Sequence, residues 1–153
     1  MGAWRSFAAL DHGRRRLAAE AALLLALIRI GLWILPFPAL QHALDRCARW
    51  RAGGRSLSAP GTRPGELDQV AWAVEAVARR LPGSTTCLAE TLAAAAMLRS
   101  RAHAVEVRFG VERQNGGARA LAAHAWVECE GRVVVGAVGN LAAYAVLSGS
   151  EHS

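Results

Sequence analysis

The fold is decided by residues 84–99, STTCLAETLAAAAMLR, and the chemical centre of this stretch is Cys87. Small hydroxyl residues come directly before Cys87 and strong helix formers follow it, so the pattern predicts a helix that begins at the cysteine and stops near Ser100. The unpaired N–H groups of a first helical turn favour the thiolate, the form of cysteine that attacks carbonyl groups. An inert cysteine buried at a helix start is the alternative, so Cys87 defines no site by itself.

After this helix, the pattern of apolar residues changes to strict alternation. Apolar and charged residues alternate in residues 104–111, AVEVRFGV, which predicts a half-buried strand. Residues 120–129 and 132–138 predict two more strands, joined by a two-residue turn at Glu130 and Gly131 of the kind that hairpins favour. An antiparallel sheet should therefore follow the Cys87 helix.

Helical patterns also precede the Cys87 stretch. Residues 14–35 predict a helix that ends at the following Pro-Phe-Pro sequence, because proline lacks an N–H donor and restricts the residue before it. Residues 39–50 predict a second, shorter helix with Leu40, Leu44 and Cys47 on one apolar face. These two helices form a lead-in to the rest of the chain.

The length of 153 residues suits a single domain with its own core. We expect residues 1–50 to be a helical lead-in belonging to this domain, with its first residues forming a loose arm. A linker loop rich in glycine and proline follows over residues 51–65. Residues 66–147 form the core, opening with an amphipathic helix over residues 66–81 and closing with a short helix or an edge segment around Tyr144. Residues 148–153 should be a frayed tail.

The composition limits the partners and the compartment. The net charge of +6 comes from 18 arginines without any lysine, which favours an acidic partner over a basic one. Nucleic acid binding is disfavoured because the arginines are scattered and no groove of basic and aromatic residues is apparent. The cysteines, Cys47, Cys87 and Cys129, cannot all pair and match no zinc signature, so we expect free thiols in a reducing compartment and no metal.

The apolar N-terminal third raises the question of a membrane. Arg29 divides the apolar run of residues 21–40, and a central arginine costs about 2.5–3.5 kcal/mol on insertion scales. No uninterrupted apolar stretch reaches the roughly 18 residues typical of a span. A buried core helix is therefore favoured over a helix on a membrane surface, and a true span is disfavoured. We expect a cytoplasmic protein, with contact to the inner membrane face through residues 17–40 as the alternative.

Among the histidines, His124 has the surroundings that thiol catalysis requires. A thiol hydrolase needs an imidazole that takes a proton and later gives it to the leaving amine. His124 lies in a predicted strand, on the same face as Trp126 two residues later. Strand histidines are more often packed side chains than catalytic ones, and Trp126 suits the wall of a cleft or the core equally well.

Four stretches together resemble a known family. Residues 82–111, PGSTTCLAETLAAAAMLRSRAHAVEVRFGV, and residues 123–136, AHAWVECEGRVVVG, resemble the transglutaminase-like leader peptidases of lasso peptide biosynthesis. This family is the peptidase half of the lasso maturation B protein, encoded by itself in split gene clusters. The likeness extends to residues 14–37, RRRLAAEAALLLALIRIGLWILPF, and residues 140–147, NLAAYAVL, so it covers most of the chain.

The resemblance implies an α+β fold of the papain-like or transglutaminase-like cysteine peptidases, in which N-terminal helices and a small antiparallel sheet pack on the nucleophile helix. It implies that Cys87 is the nucleophile and His124 the general base and acid, with neither a metal nor an organic cofactor. It also implies three partners: a lasso precursor peptide bound through its leader, a separate leader-recognition protein, and an ATP-using lasso cyclase.

The third catalytic residue is where the chain departs from this family. Counting back along the predicted hairpin places His124 opposite Ala137, where an acidic residue would be expected and none is present. Glu128 shares the face of His124 but lies four residues, about 13 Å, along the strand. Asn140 is the nearest polar residue after the strand and is a candidate to orient the imidazole, and a backbone carbonyl is the alternative. Cys129 faces away from His124, which indicates a packing role.

Three functions remain open at this point. The first is a cysteine peptidase that removes the leader from a lasso precursor. The second is a non-catalytic or weakly active module of the same fold that binds the precursor and the maturation partners. The third is acyl transfer to an amine, which shares the same thioester chemistry.

Overall fold

The computed structural model describes residues 11–53, 65–82, 86–112, 123–139 and 144–147. The helices of these residues are α1 (His12–Ile34), α2 (Phe37–Ala52), α3 (Glu66–Ala78) and α4 (Cys87–Arg99), and the strands are β1 (Val105–Glu112), β2 (Ala123–Cys129), β3 (Arg132–Val135) and β4 (Tyr144–Leu147). The predicted α+β class is confirmed. The segment around Tyr144 forms strand β4 and not a short helix. The predictions of an N-terminal arm, a linker loop and a frayed tail concern residues mostly outside the described ranges.

Local sequence explains where α1 ends and where α4 begins. Helix α1 ends before Leu35, whose extended backbone (φ −111°, ψ 143°) is the conformation that a following proline imposes. Helix α4 begins after Thr86, whose hydroxyl oxygen accepts a hydrogen bond from the N–H of Ala89 at 3.3 Å. Thr86 is therefore the N-cap of α4, and Cys87 is the first residue of the helix, as the sequence predicts.

Helix α4 forms the centre of the core. A helix that is apolar all round is stable only when other elements cover every side. Helix α4 meets this condition, because it contacts the other three helices as well as β1, β2 and β3. Its small alanine side chains let these elements approach closely, and its fully buried large residues are Met97 and Leu98.

The sheet has the strand order β3-β2-β1-β4 and is antiparallel throughout. Glu130 (φ 53°) and Gly131 (φ 73°) join β2 to β3, and positive φ at both central positions is typical of the predicted two-residue hairpin turn. A bulge between Val127 and Glu128 shifts the pairing, so that Val127 lies opposite Val135, where β3 ends. The predicted pairing of His124 with Ala137 is therefore wrong, because counting along an unbroken ladder takes no account of a bulge.

The two faces of β2 have different roles. Val127 and Cys129 belong to the buried core cluster that the helices cover. Side chains alternate along a strand, so His124, Trp126 and Glu128 lie on the opposite face. The packing role predicted for Cys129 is confirmed, since the residue is buried.

A buried hydrogen bond connects α4 to β2. The hydroxyl of Thr91 donates to the backbone carbonyl of Ala125 at 3.1 Å, and the Thr91 side chain is completely buried. Thr91 lies one helical turn after Cys87 and Ala125 follows His124, so this bond brings the first turn of α4 close to the start of β2.

Ion pairs connect the lead-in helices to the chain around α4. Glu20 of α1 accepts from Arg101 at 2.6 Å and from Arg51 of α2 at 3.2 Å. Arg99, the last residue of α4, contacts Asp45 of α2 at 2.6 Å. These pairs connect α1 and α2 to each other and to the end of α4.

One prediction about α2 is wrong. Leu40 is buried and Leu44 packs against the core, but Cys47 is exposed and does not share their face. The buried stripe continues at intervals of four through Ala48 and Ala52, and Cys47 lies one position to the side of it.

Helix α1 is apolar on two faces. Its inner face contributes Ala21, Leu25 and Ile28 to the core. Its outer face leaves Leu23 and Trp33 exposed, Trp33 by 94%. By length and composition α1 is long and apolar enough to cross a membrane, a test that core helices and signal sequences also pass.

We expect Thr91→Val to lower the free energy of unfolding by about 1 kcal/mol, because it removes a buried hydrogen bond while keeping a branched side chain of similar size. Urea unfolding measures this as a lower midpoint with an unchanged slope. Thr91→Ser is the control, since it keeps the hydroxyl. A Thr91→Val protein as stable as the wild type would show that the bond does not hold α4 to β2.

Candidate active site

Cys87 lies at the N-terminus of α4 with part of its side chain exposed, and its thiol forms no disulfide. The N–H groups of Ala89 and Glu90 are directed to the Thr86 carbonyl at 3.0 and 3.3 Å. The N–H groups of Cys87 and Leu88, the first two residues of α4, have no acceptor within the helix and can stabilise negative charge on the sulfur. The position therefore suits a nucleophilic thiolate.

Glu90 is the acidic group nearest to Cys87 along α4, one turn away. Burial raises the pKa of the Glu90 carboxyl above its ordinary value, and the neighbouring Glu75 raises it further, while Arg79 partly offsets the shift. A carboxyl that ionises less readily places less negative charge beside the start of the helix.

The second predicted residue, His124, is held by a backbone carbonyl. Its Nε2 lies 2.7 Å from the carbonyl oxygen of Gly136. A carbonyl only accepts hydrogen bonds, so the proton of the neutral imidazole resides on Nε2 and Nδ1 is left as an acceptor. A general base requires such an unprotonated ring nitrogen.

Two aromatic side chains fix the plane of the His124 ring. Trp126 stacks on it, with ring centroids 6.2 Å apart and planes 18° from parallel, and Tyr144 approaches at 5.6 Å. Trp126 is buried, and its Nε1 donates to the Glu128 carboxylate at 2.7 Å. Of the two roles open to Trp126, the structure shows a buried support for the histidine ring. Tyr144 is a neighbour that sequence reasoning missed, because only the pairing of β4 with β1 brings it there.

Gly136 lets the carbonyl reach the histidine. Its backbone has φ 84°, and a Cβ at this position would lie 2.6 Å from the Ala125 carbonyl oxygen and 3.0 Å from the Trp126 Cα. A side chain of any kind is therefore excluded here. Where the resemblance implies an acid, a backbone carbonyl lies next to the imidazole. Asn140, the other candidate to orient His124, lies outside the described residues.

Helix α4 packs on the face of β2 that carries Val127 and Cys129, whereas His124 projects from the opposite face. The structure therefore brings the two predicted catalytic elements together but does not join the two side chains. Thr91 connects α4 to β2 beside His124. Within the described ranges, no hydrogen bond links Cys87 to His124. Their pairing stays a prediction.

The comparison with protein families is decisive for the class of this domain. Residues 31–149 match the family model of the Transglutaminase-like superfamily. The chain belongs to this superfamily. Searches of the curated proteins and of the solved structures find no match.

The match to the transglutaminase-like superfamily covers most of the described helices and strands. The matched region begins at the end of α1 and includes the described residues of α2 to α4 and of the whole sheet. Both Cys87 and His124 lie within it. The superfamily is compatible with cysteine peptidase chemistry, in which a thiol and an imidazole act on a carbonyl carbon.

We expect Gly136→Ala to destabilise the protein more than Gly131→Ala. Both glycines have positive φ, so both substitutions strain the backbone by about 1–2 kcal/mol. Only at position 136 would the new methyl group contact backbone atoms, whereas no atom of the described residues lies within 4 Å of a Cβ at Gly131. Urea unfolding gives the two stabilities, and the imidazole NMR signals of His124 should move only in Gly136→Ala. Equal losses of stability and an unmoved His124 signal would contradict the role of this carbonyl.

Proposed function

We propose that this transglutaminase-like protein is a cysteine endopeptidase that removes the leader from a ribosomally made lasso precursor peptide. The observation that carries the proposal is the contact of His124 Nε2 with the Gly136 carbonyl, because it leaves Nδ1 as the acceptor that a general base needs. The first turn of α4, which bears the Cys87 thiol, lies near the same end of β2. The substrate class rests on the resemblance of residues 82–111 and 123–136 to the lasso leader peptidases.

The reaction follows from the chemistry of these two groups. His124 Nδ1 takes the proton of the Cys87 thiol, and the sulfur attacks the carbonyl carbon at the junction between leader and core. The N–H of Cys87 stabilises the negative oxygen that forms. His124 then gives the proton to the leaving amine, and a thioester remains on Cys87. Water, deprotonated by His124, attacks the thioester and releases the leader with a free carboxylate, and the expelled Cys87 thiolate takes the proton back from His124.

The proposal includes partners that supply and consume the peptide. A separate leader-recognition protein delivers the precursor, and an ATP-using lasso cyclase closes the ring on the amine that cleavage exposes. The net charge of +6 favours acidic surfaces on these partners. The reaction takes place in the cytoplasm, where the three cysteines stay reduced.

We expect Cys87→Ala to abolish cleavage of the precursor in the presence of the recognition protein and the cyclase, because no other group replaces the nucleophile. His124→Ala should lower the rate by orders of magnitude. Cys47→Ser, which changes an exposed cysteine on α2, is the matched control and should cleave normally. Mass spectrometry of the leader fragment measures the outcome and separates hydrolysis from transfer to an amine. Unchanged cleavage by folded Cys87→Ala would exclude the mechanism.

A non-catalytic module is the second candidate, favoured by the lack of a hydrogen bond between Cys87 and His124 in the described part of the chain. Such a module would bind the precursor without activating a thiol. Iodoacetamide near neutral pH separates the two candidates, because an activated Cys87 should react ahead of exposed Cys47. Equal alkylation of Cys47 and Cys87 in the wild type, with no cleavage by the complete system, would support the module.

We also propose that α1 and α2 allow the enzyme to rest on the inner face of the membrane. Most of the exposed large apolar residues in the described ranges lie on these two helices, including Leu27, Ile30, Trp33 and Trp50, and Trp50 is 84% exposed. Tryptophans favour the boundary between lipid and water, and the arginines of both helices suit anionic head groups.

We expect the wild type to float with vesicles that contain phosphatidylglycerol, and Leu27→Ser combined with Trp33→Ser to lose most of this binding. Each exposed apolar side chain that enters the lipid contributes roughly 1.5–3 kcal/mol, so the double change removes a large part of the affinity. Val146→Ser, at an exposed apolar residue of β4, is the control and should still float. A wild type that stays with the soluble fraction would exclude membrane contact.

A further inference from the structure

Three side chains with metal-binding atoms meet at the turn between β2 and β3. His103, Cys129 and Glu130 each place one such atom within 4.8 Å of the other two. Cys129 faces the core, on the opposite side of β2 from His124, and lies five residues or about 16 Å along the strand. This cluster is therefore separate from the candidate active site.

The backbone fixes the position of this cluster. Cys129 pairs with Val105 at the start of β1, and His103 precedes that residue by two positions. Ala102 has φ 66°, which turns the chain after α4 toward the sheet. Glu130 occupies the first central position of the β2–β3 turn. The ligands thus come from two segments that the antiparallel register holds side by side.

The surroundings of His103 resemble those of a metal-bound imidazole. The side chain is buried, and its Nε2 lies 3.2 Å from the Glu66 carboxylate at the start of α3. A carboxylate that holds one ring nitrogen orients the other toward a metal ion and strengthens it as a ligand. Because Glu66 occupies Nε2, Nδ1 is the nitrogen left for an ion.

The set of donor atoms selects the ion. Sulfur, imidazole nitrogen and carboxylate oxygen are the ligands of zinc, and three protein ligands with an open fourth position are typical of zinc sites that keep a water. Calcium and magnesium take oxygen ligands, so a buried thiol and an imidazole exclude them here.

We propose that His103, Cys129 and Glu130 bind one Zn²⁺ ion, with water as the fourth ligand. Binding displaces the thiol proton of Cys129 to solvent and forms a zinc–thiolate bond without any change in oxidation state. The ion joins the β2–β3 turn to the α4–β1 connection and, through Glu66, to α3. The cysteine spacing alone does not reveal this site, because one cysteine supplies the only sulfur ligand and the histidine precedes it by 26 positions.

The test uses Co²⁺ as a spectroscopic probe in the full chain carrying Cys47→Ser and Cys87→Ser, which leaves Cys129 as the only thiol. We expect one equivalent of Co²⁺ to produce a thiolate-to-cobalt absorption band, and Zn²⁺ to abolish it by displacement. Glu130→Gln and Glu66→Gln should each weaken binding about 10- to 100-fold, the usual effect of removing a group that ligates or orients. Glu106→Gln, at an exposed carboxylate of β1, is the matched control and should not change the affinity.

Two results would overturn the proposal. The first is that no thiolate-to-cobalt band appears, or that the band remains after Cys129→Ser is added to the double variant. The second is that Glu130→Gln binds Co²⁺ with unchanged affinity. This second result decides the question if circular dichroism shows that the protein with Cys129→Ser does not fold. Because the measurement is made without Cys87, its outcome is independent of the peptidase proposal.

Discussion

The candidate active site depends on the hydrogen bond between the Thr91 hydroxyl and the Ala125 carbonyl, because this bond joins α4 to β2. Helix α4 supplies the thiol and β2 supplies the imidazole, and the two elements pack directly against each other. A buried polar contact has one favourable position, because a displaced hydroxyl and carbonyl would both lack partners. The bond therefore sets where the start of α4 lies along β2.

The orientation of the His124 ring depends on a second hydrogen bond from a side chain to a backbone carbonyl. Gly136 brings its carbonyl to Nε2, and Trp126 packs against the ring with its own N–H held by Glu128. The groups that orient the imidazole are thus a backbone carbonyl and the buried ring of Trp126. A backbone carbonyl therefore holds the place beside the imidazole where a third polar side chain was expected.

Much of the fold could be predicted from the sequence, because local signals and tertiary structure agree. The Thr86 cap, the alanine-rich helix and the Glu130-Gly131 turn each have a short-range cause that the sequence displays. The predictions failed where the cause was not local. The bulge at Val127, the exposure of Cys47 and the approach of Tyr144 to His124 all depend on how distant elements pack.

The use of a carbonyl in place of an acid affects how the site responds to its medium. An aspartate partner gains a proton in acid and then no longer accepts from Nε2, whereas an amide carbonyl does not titrate in that range. The tautomer of His124 is therefore held by a partner that keeps accepting from Nε2 whatever the acidity of the medium.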